Sequence, residues 1–163
     1  MTIFIKPNTT NSETYYIIAE FDESIPILNS VMFAYDESEI IPFLNQCNPQ
    51  GDDRIMFDAT FYAQTGLELR KAIEHDIFLY RNTATSNIDE RLKKTTANMI
   101  ASQAKWITTN MHYSIKMKDN VDFQRFLQLI KDYKPTNPNC DSTAAELMSD
   151  AARYFRKLIL RDN

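Results

Sequence analysis

Residues 2–21 read Thr-Ile-Phe-Ile-Lys-Pro-Asn-Thr-Thr-Asn-Ser-Glu-Thr-Tyr-Tyr-Ile-Ile-Ala-Glu-Phe. Thr2–Lys6 is a short β-branched and aromatic run, and Pro7–Ser12 is a cluster of turn residues. In Glu13–Phe21, Tyr15, Ile17, Ala19 and Phe21 share one face, and Tyr16 and Ile18 share the other. A strand that is apolar on both faces belongs in the middle of a sheet covered on two sides. Residues 2–21 therefore predict a hairpin at the centre of the fold.

Working outward, Ser30–Tyr35 predicts a third strand, although 25–35 also fits a helix. Glu39–Cys47 predicts a short helix capped by Ser38, with Pro42 in its first turn. Arg54–Tyr62 sets Ile55, Phe57, Ala59 and Phe61 against Asp58 and Thr60, the period of a fourth strand. From residue 65 the period turns helical. Thr65-Gly66-Leu67-Glu68 has the form of a capping box, followed by Leu69, Ile73, Ile77 and Tyr80 on one stripe. Asn87-Ile88-Asp89-Glu90 opens a long helix of about 27 residues, with Ile88, Leu92, Met99, Trp106 and Tyr113 inward. Asp119 or Asn120 caps a third helix, which places Phe123, Phe126, Leu127, Ile130 and Tyr133 inward. Thr143-Ala144-Ala145-Glu146 opens the last helix, with Leu147, Ala151, Tyr154 and Leu158 inward. The expectation is an α+β fold in one domain over 1–163. Its β-rich part (1–62) is a small, mainly antiparallel sheet with one short helix, and about four helices follow over 65–160.

Composition narrows the function classes. The 163 residues are 44% hydrophobic and 12% aromatic, enough to build a core. Gly51 and Gly66 are the only glycines. Phosphate-binding loops, dinucleotide turns and nucleophile elbows each need at least two at fixed spacing, so the common nucleotide-dependent folds are excluded. The start of the chain lacks the pattern of a signal peptide, and no apolar run reaches membrane-spanning length, so a cytoplasmic protein without a membrane segment is expected. The richness in Ile, Asn, Lys, Tyr and Phe is the bias of AT-rich coding sequences, which phages and mobile elements often carry.

Charge is unevenly placed. Residues 1–60 hold ten acids and two bases, net −8, whereas residues 61–163 are net +4. Seven acids fall in three loops or caps: Asp22 and Glu23; Asp36, Glu37 and Glu39; Asp52 and Asp53. If these share an edge they form a negative surface suited to a protein partner with a basic surface. On the long helix Arg91, Lys94, Asn98, Ser102, Lys105, Thr109, His112 and Lys116 recur at helical spacing. Such a stripe could track phosphates, dock against a second copy of the chain, or simply face water.

Catalytic constellations are thin. His75 lies between Glu74 and Asp76, but neighbours in a helix diverge by about 100° and cannot chelate one ion. No zinc or carboxylate-histidine motif is present, so neither a metal nor a cofactor is expected. Asp58 ahead of Glu68-Leu69-Arg70 is a loose acid–acid–base pattern, and the capping role already explains Glu68. Cys140 stands just before a helix N-terminus, where the macrodipole favours a thiolate, and is the one candidate nucleophile. The expectation is a non-catalytic, macromolecule-binding protein (an acidic inhibitor, adaptor or assembly subunit) acting through the acidic loops. Nucleic-acid binding by the basic stripe and hydrolysis by Cys140 are the alternatives.

Overall fold

The computed structural model describes residues 1–8, 14–22, 27–81, 90–114, 117–137 and 139–162, with backbone alone for 90–94 and 157–162. The fold is α+β. Six strands, β1 (Thr2–Pro7), β2 (Tyr16–Asp22), β3 (Ile27–Ala34), β4 (Arg54–Asp58), β5 (Ile77–Tyr80) and β6 (His112–Tyr113), form one sheet in the order β5-β4-β1-β2-β3-β6. The helices are α1 (Glu37–Cys47), α2 (Ala63–Ala72), α3 (Glu90–Asn110), α4 (Val121–Asp132) and α5 (Thr143–Asp162).

The predicted hairpin is the centre of the sheet, pairing antiparallel from Thr2↔Phe21 to Pro7↔Tyr16. Strand β3 continues the meander, pairing antiparallel with β2. The mainly antiparallel expectation describes these three strands. The sheet as a whole is mixed, because β4 adds parallel to β1, β5 parallel to β4, and β6 parallel to β3. Only β2 runs against the others, so β1, β3, β4 and β5 all end at one edge of the sheet, here called its carboxyl edge.

Both faces are covered, as the two-sided apolar pattern of β2 requires. Ile3, Ile5, Tyr16, Ile18, Ile55, Phe57 and Ile77 pack with Ile40, Leu44 and Leu69 from α1 and α2. Phe4, Ile17, Ala19 and Phe21 pack on the opposite face with side chains of α3, α4 and α5. Helix α5 lies across the middle of that face, where its small residues Ala144, Ala145, Ala151 and Ala152 are all buried.

Several local expectations are corrected. Residues 65–80 are not one helix: α2 ends at Ala72 and Ile77–Tyr80 becomes edge strand β5, seated beside β4 with Ile55↔Ile77 in register. Arg70 in the last turn of α2 donates from Nε and Nη2 to the Ile77 carbonyl at 3.2 and 2.9 Å, fixing that break. Helix α2 starts at Ala63 with no side-chain cap, and Thr65 donates instead to Glu37 Oε1 at 3.0 Å. Helix α1 is capped by Asp36 in a capping box with Glu39, two residues before the expected Ser38, so Pro42 lies further inside the helix. Helix α3 buries Ile100, Ala104 and Ile107, with Met111 buried just past its end, a stripe one residue beyond the expected Met99–Trp106 line. Trp106 sits on its flank with the Arg156 guanidinium 4.2 Å from its ring. The Asn87–Asp89 start of that helix lies outside the described residues, and α3 spans 21 residues from Glu90. Asn120 caps α4 as expected, accepting from the Phe123 amide at 2.9 Å.

Candidate functional site

Alternation along three adjacent strands builds the site. In β1, Ile3 and Ile5 face α1 and α2, so Phe4 and Lys6 face α5. In β4, Ile55 and Phe57 face α1 and α2, so Met56 and Asp58 face α5. In β5 the same parity turns Tyr80 toward α5, and Tyr80 is the register partner of Asp58. Lys6, Asp58 and Tyr80 are thus side by side at the carboxyl edge. The first half of α5 covers them with Glu146, Asp150 and Arg153. In open sheets containing parallel strands, ligands gather beyond the carboxyl ends, where the chain turns to either side of a central strand. Here β1 is that strand, flanked by β2 and β4.

The Lys6 ammonium, 3% exposed, is bonded to Asp58 Oδ2 at 2.5 Å and Asp150 Oδ2 at 2.9 Å. Asp150 Oδ2 also accepts from the Tyr80 hydroxyl at 2.7 Å, and Asp150 Oδ1 accepts from Arg153. Asp58 Oδ1 accepts from the Thr60 amide at 3.0 Å and the Thr60 hydroxyl at 2.5 Å. Glu146 Oε2 accepts from the Ser142 hydroxyl at 3.0 Å. Burial by itself would lower the pKa of Lys6. Asp150, Glu146 and Asp58 outweigh it and hold the ammonium above the usual lysine value. Burial raises the Glu146 carboxyl, against the pull of Lys6. Burial, with Asp150 and Asp58 nearby, also raises Tyr80, keeping it a hydrogen-bond donor.

This cluster was not assembled from sequence. Its only signals were a lysine in an otherwise apolar strand and an aspartate at the end of another. Nothing local tells that Asp150, 144 positions from Lys6, completes it.

The seven predicted acids do not gather at one place. Asp36, Glu37 and Glu39 follow β3 and sit at the carboxyl edge. Asp52 and Asp53 precede β4, and Asp22 ends the antiparallel β2, so these three lie at the opposite edge. Six residues of β1, about 20 Å, separate the two groups. Glu23 lies outside the described residues. Several acids also hold local structure: Asp36 Oδ1 accepts from the Ser38 amide at 2.9 Å, and Asp53 Oδ1 pairs with the chain amino group at 3.0 Å. Glu37 Oε1 accepts from Thr65 and, at 3.3 Å, from the Tyr16 hydroxyl.

Of the basic stripe, Lys105 is exposed on α3 with Asn98, Ser102 and Thr109. The side chains of Arg91 and Lys94 and the whole of Lys116 lie outside the described residues. Cys140 donates its thiol hydrogen to the carbonyls of Asn137 at 3.0 Å and Lys134 at 3.5 Å. Asp141 takes the amide of Thr143 at 3.0 Å, so the α5 N-terminus already serves a carboxylate and not the thiol. Among the described residues no group of three or more His, Cys, Asp and Glu is arranged to hold a metal ion.

Among the described residues, openings lie at both edges of the sheet. A small cavity of about 10 Å³ opens onto the ion cluster, lined by Lys6, Asp58, Thr60, Phe61, Tyr62 and Glu146. At the opposite edge an open cleft of about 360 Å³ lies between the ends of α1 and α2. Its polar lining, Asn45, Asn48, Gln50 and Glu74, is exposed. Compared with known proteins, the chain matches no family model and no curated sequence.

Proposed function

We propose that this chain is a non-catalytic binding protein, an inhibitor, adaptor or assembly subunit, that engages a basic protein partner through the carboxyl edge of its sheet. The observation that carries this is Phe61, which is 60% exposed where it lines the cavity that Asp58 and Glu146 also line. Tyr35, 51% exposed, stands next to Asp36 and Glu39 on the same edge. The two loops are tied together, since Glu37 bonds Thr65 and Tyr16, and the Tyr16 ring packs edge-on against Tyr62 with centroids 6.1 Å apart. Aromatic anchors within a charged rim are what protein interfaces use. Acids on that rim favour a partner of opposite sign.

A non-catalytic role is supported by the way the reactive groups are engaged. The Lys6 ammonium is shared by two carboxylates, Tyr80 donates to Asp150, and the Cys140 thiol donates to carbonyls. Among the described residues no helix is long and apolar enough to cross a membrane. A cytoplasmic setting is part of the same reading, and both cysteines are free thiols.

The test compares the wild-type chain with Asp36→Asn/Phe61→Ala as baits in native lysate, with and without nuclease treatment. Asparagine caps helices as well as aspartate does, so the first change removes charge while α1 keeps its cap. A stoichiometric protein captured by wild type and lost by the double variant supports the reading. Capture that is equal for both, or partners that vanish on nuclease treatment, overturns it.

A further inference from the structure

We infer that the cavity at the carboxyl ends of β1 and β4 is a receptor for one primary ammonium group, the head of a lysine side chain on the basic partner. This deepens the proposed function and rests on it.

Charge is the first argument. The cluster contains three carboxylates, Asp58, Glu146 and Asp150, and two bases, Lys6 and Arg153. Lys6 is shared between Asp58 and Asp150, and Arg153 pairs with Asp150, so among the described residues Glu146 is the carboxylate of the three that no ion pair engages. Glu146 is only 6% exposed. Its Oε2 accepts from Ser142, and its other carboxylate oxygen accepts no hydrogen bond from any described residue. Among the described residues no fully buried side-chain polar atom lacks a partner. That oxygen therefore keeps a little accessible surface, and Glu146 lines the cavity. A carboxylate oxygen left without a donor beside a cavity can take one, and a cationic donor makes the strongest bond. The upward pKa shift of Glu146 agrees, since burial is its first cause and exceeds the opposing pull of Lys6.

Size selects among cations. About 10 Å³ is room for one water-sized group. An ammonium is that compact, whereas the guanidinium of arginine is a wider planar fork. Phe61, exposed where it lines the cavity, offers an apolar wall for the lysine methylenes. The ammonium would donate to Glu146 and Asp58 while the stem lies along Phe61.

The test is a nuclear magnetic resonance titration of the full chain with n-butylammonium, butylguanidinium, butanol and magnesium ion, following the amides of Thr60 and Phe61. Expected are saturable shifts with butylammonium, weaker ones with butylguanidinium and none with butanol. Glu146→Gln, whose remaining resonances report that the fold is kept, should weaken butylammonium binding about tenfold. No saturable shift, an equal response to butanol, a response to magnesium alone, or unchanged affinity in Glu146→Gln would each overturn the inference. If Phe61→Ala abolishes partner capture while butylammonium gives no saturable shift, the docking edge stands and the ammonium site falls.

Discussion

Replacing Lys6 by methionine keeps the length of the side chain and removes its charge. It leaves Asp58 and Asp150, whose side chains are 7% and 3% exposed, without the ammonium that they share. Breaking a buried ion pair from one side costs about 3–5 kcal/mol, because the stranded charge stays desolvated. The two aspartates are not equally stranded. Asp150 keeps Tyr80 and Arg153, whereas Asp58 keeps the amide and hydroxyl of Thr60 within its own loop. Most of the deficit should therefore fall on Asp58. Urea unfolding followed by circular dichroism at neutral pH should show the full loss, equivalent to about 6–20 °C in melting temperature for a chain of this size. Adding Asp58→Asn to Lys6→Met should recover part of the loss, a non-additivity expected of residues in contact. A loss below about 1 kcal/mol at neutral pH would refute the reasoning that Lys6 neutralises these carboxylates.

Glu146 gives a pH dependence. Its folded-state pKa lies above the usual 4.5, so the folded chain binds the proton more tightly, and stability falls as the pH rises from 4.5 through the raised value. Lys6, Asp58 and Asp150 face it from the strands and α5, and Ser142 bonds it. Glu146→Gln should be at least as stable as wild type at neutral pH, with the difference closing toward pH 4.5, read from melting temperatures across that range. Gly66→Ala should destabilise by about 1–3 kcal/mol, because the added methyl would lie 2.7 Å from Leu79 Cδ2 and 3.0 Å from Phe57 Cδ1. Urea unfolding with wild-type midpoint would remove that explanation. The Cys47 thiol is pushed up to about 12 by burial and by Glu20, so at neutral pH it should alkylate with iodoacetamide more slowly than a free thiol. Mass spectrometry over a time course checks this.

The central hairpin was legible because β2 carries its two faces in its own letters. Alternation is a local property, and a strand apolar on both sides has few places to go. The α+β class, the Asn120 cap and the inward residues Phe123 and Phe126 of α4 were legible for the same reason. Residues 73–80 were not, since a spacing of four, four and three also fits a short apolar strand after a break. What decides is the open edge of β4, which supplies hydrogen-bond partners that no local pattern displays.

The sequence by itself determined composition, charge balance, the scarcity of glycine and the periodicities, because each is set by residues within a few positions of one another. Tertiary structure alone decided which charges meet. It divided the six described acids of the seven between opposite edges, because β2 runs against its neighbours while β3 and β4 run with β1. It also joined Lys6 to Asp150 across 144 positions, since α5 returns over the same face of the sheet. Coulomb energy depends on distance in space and on the surrounding dielectric, and neither follows from order along the chain.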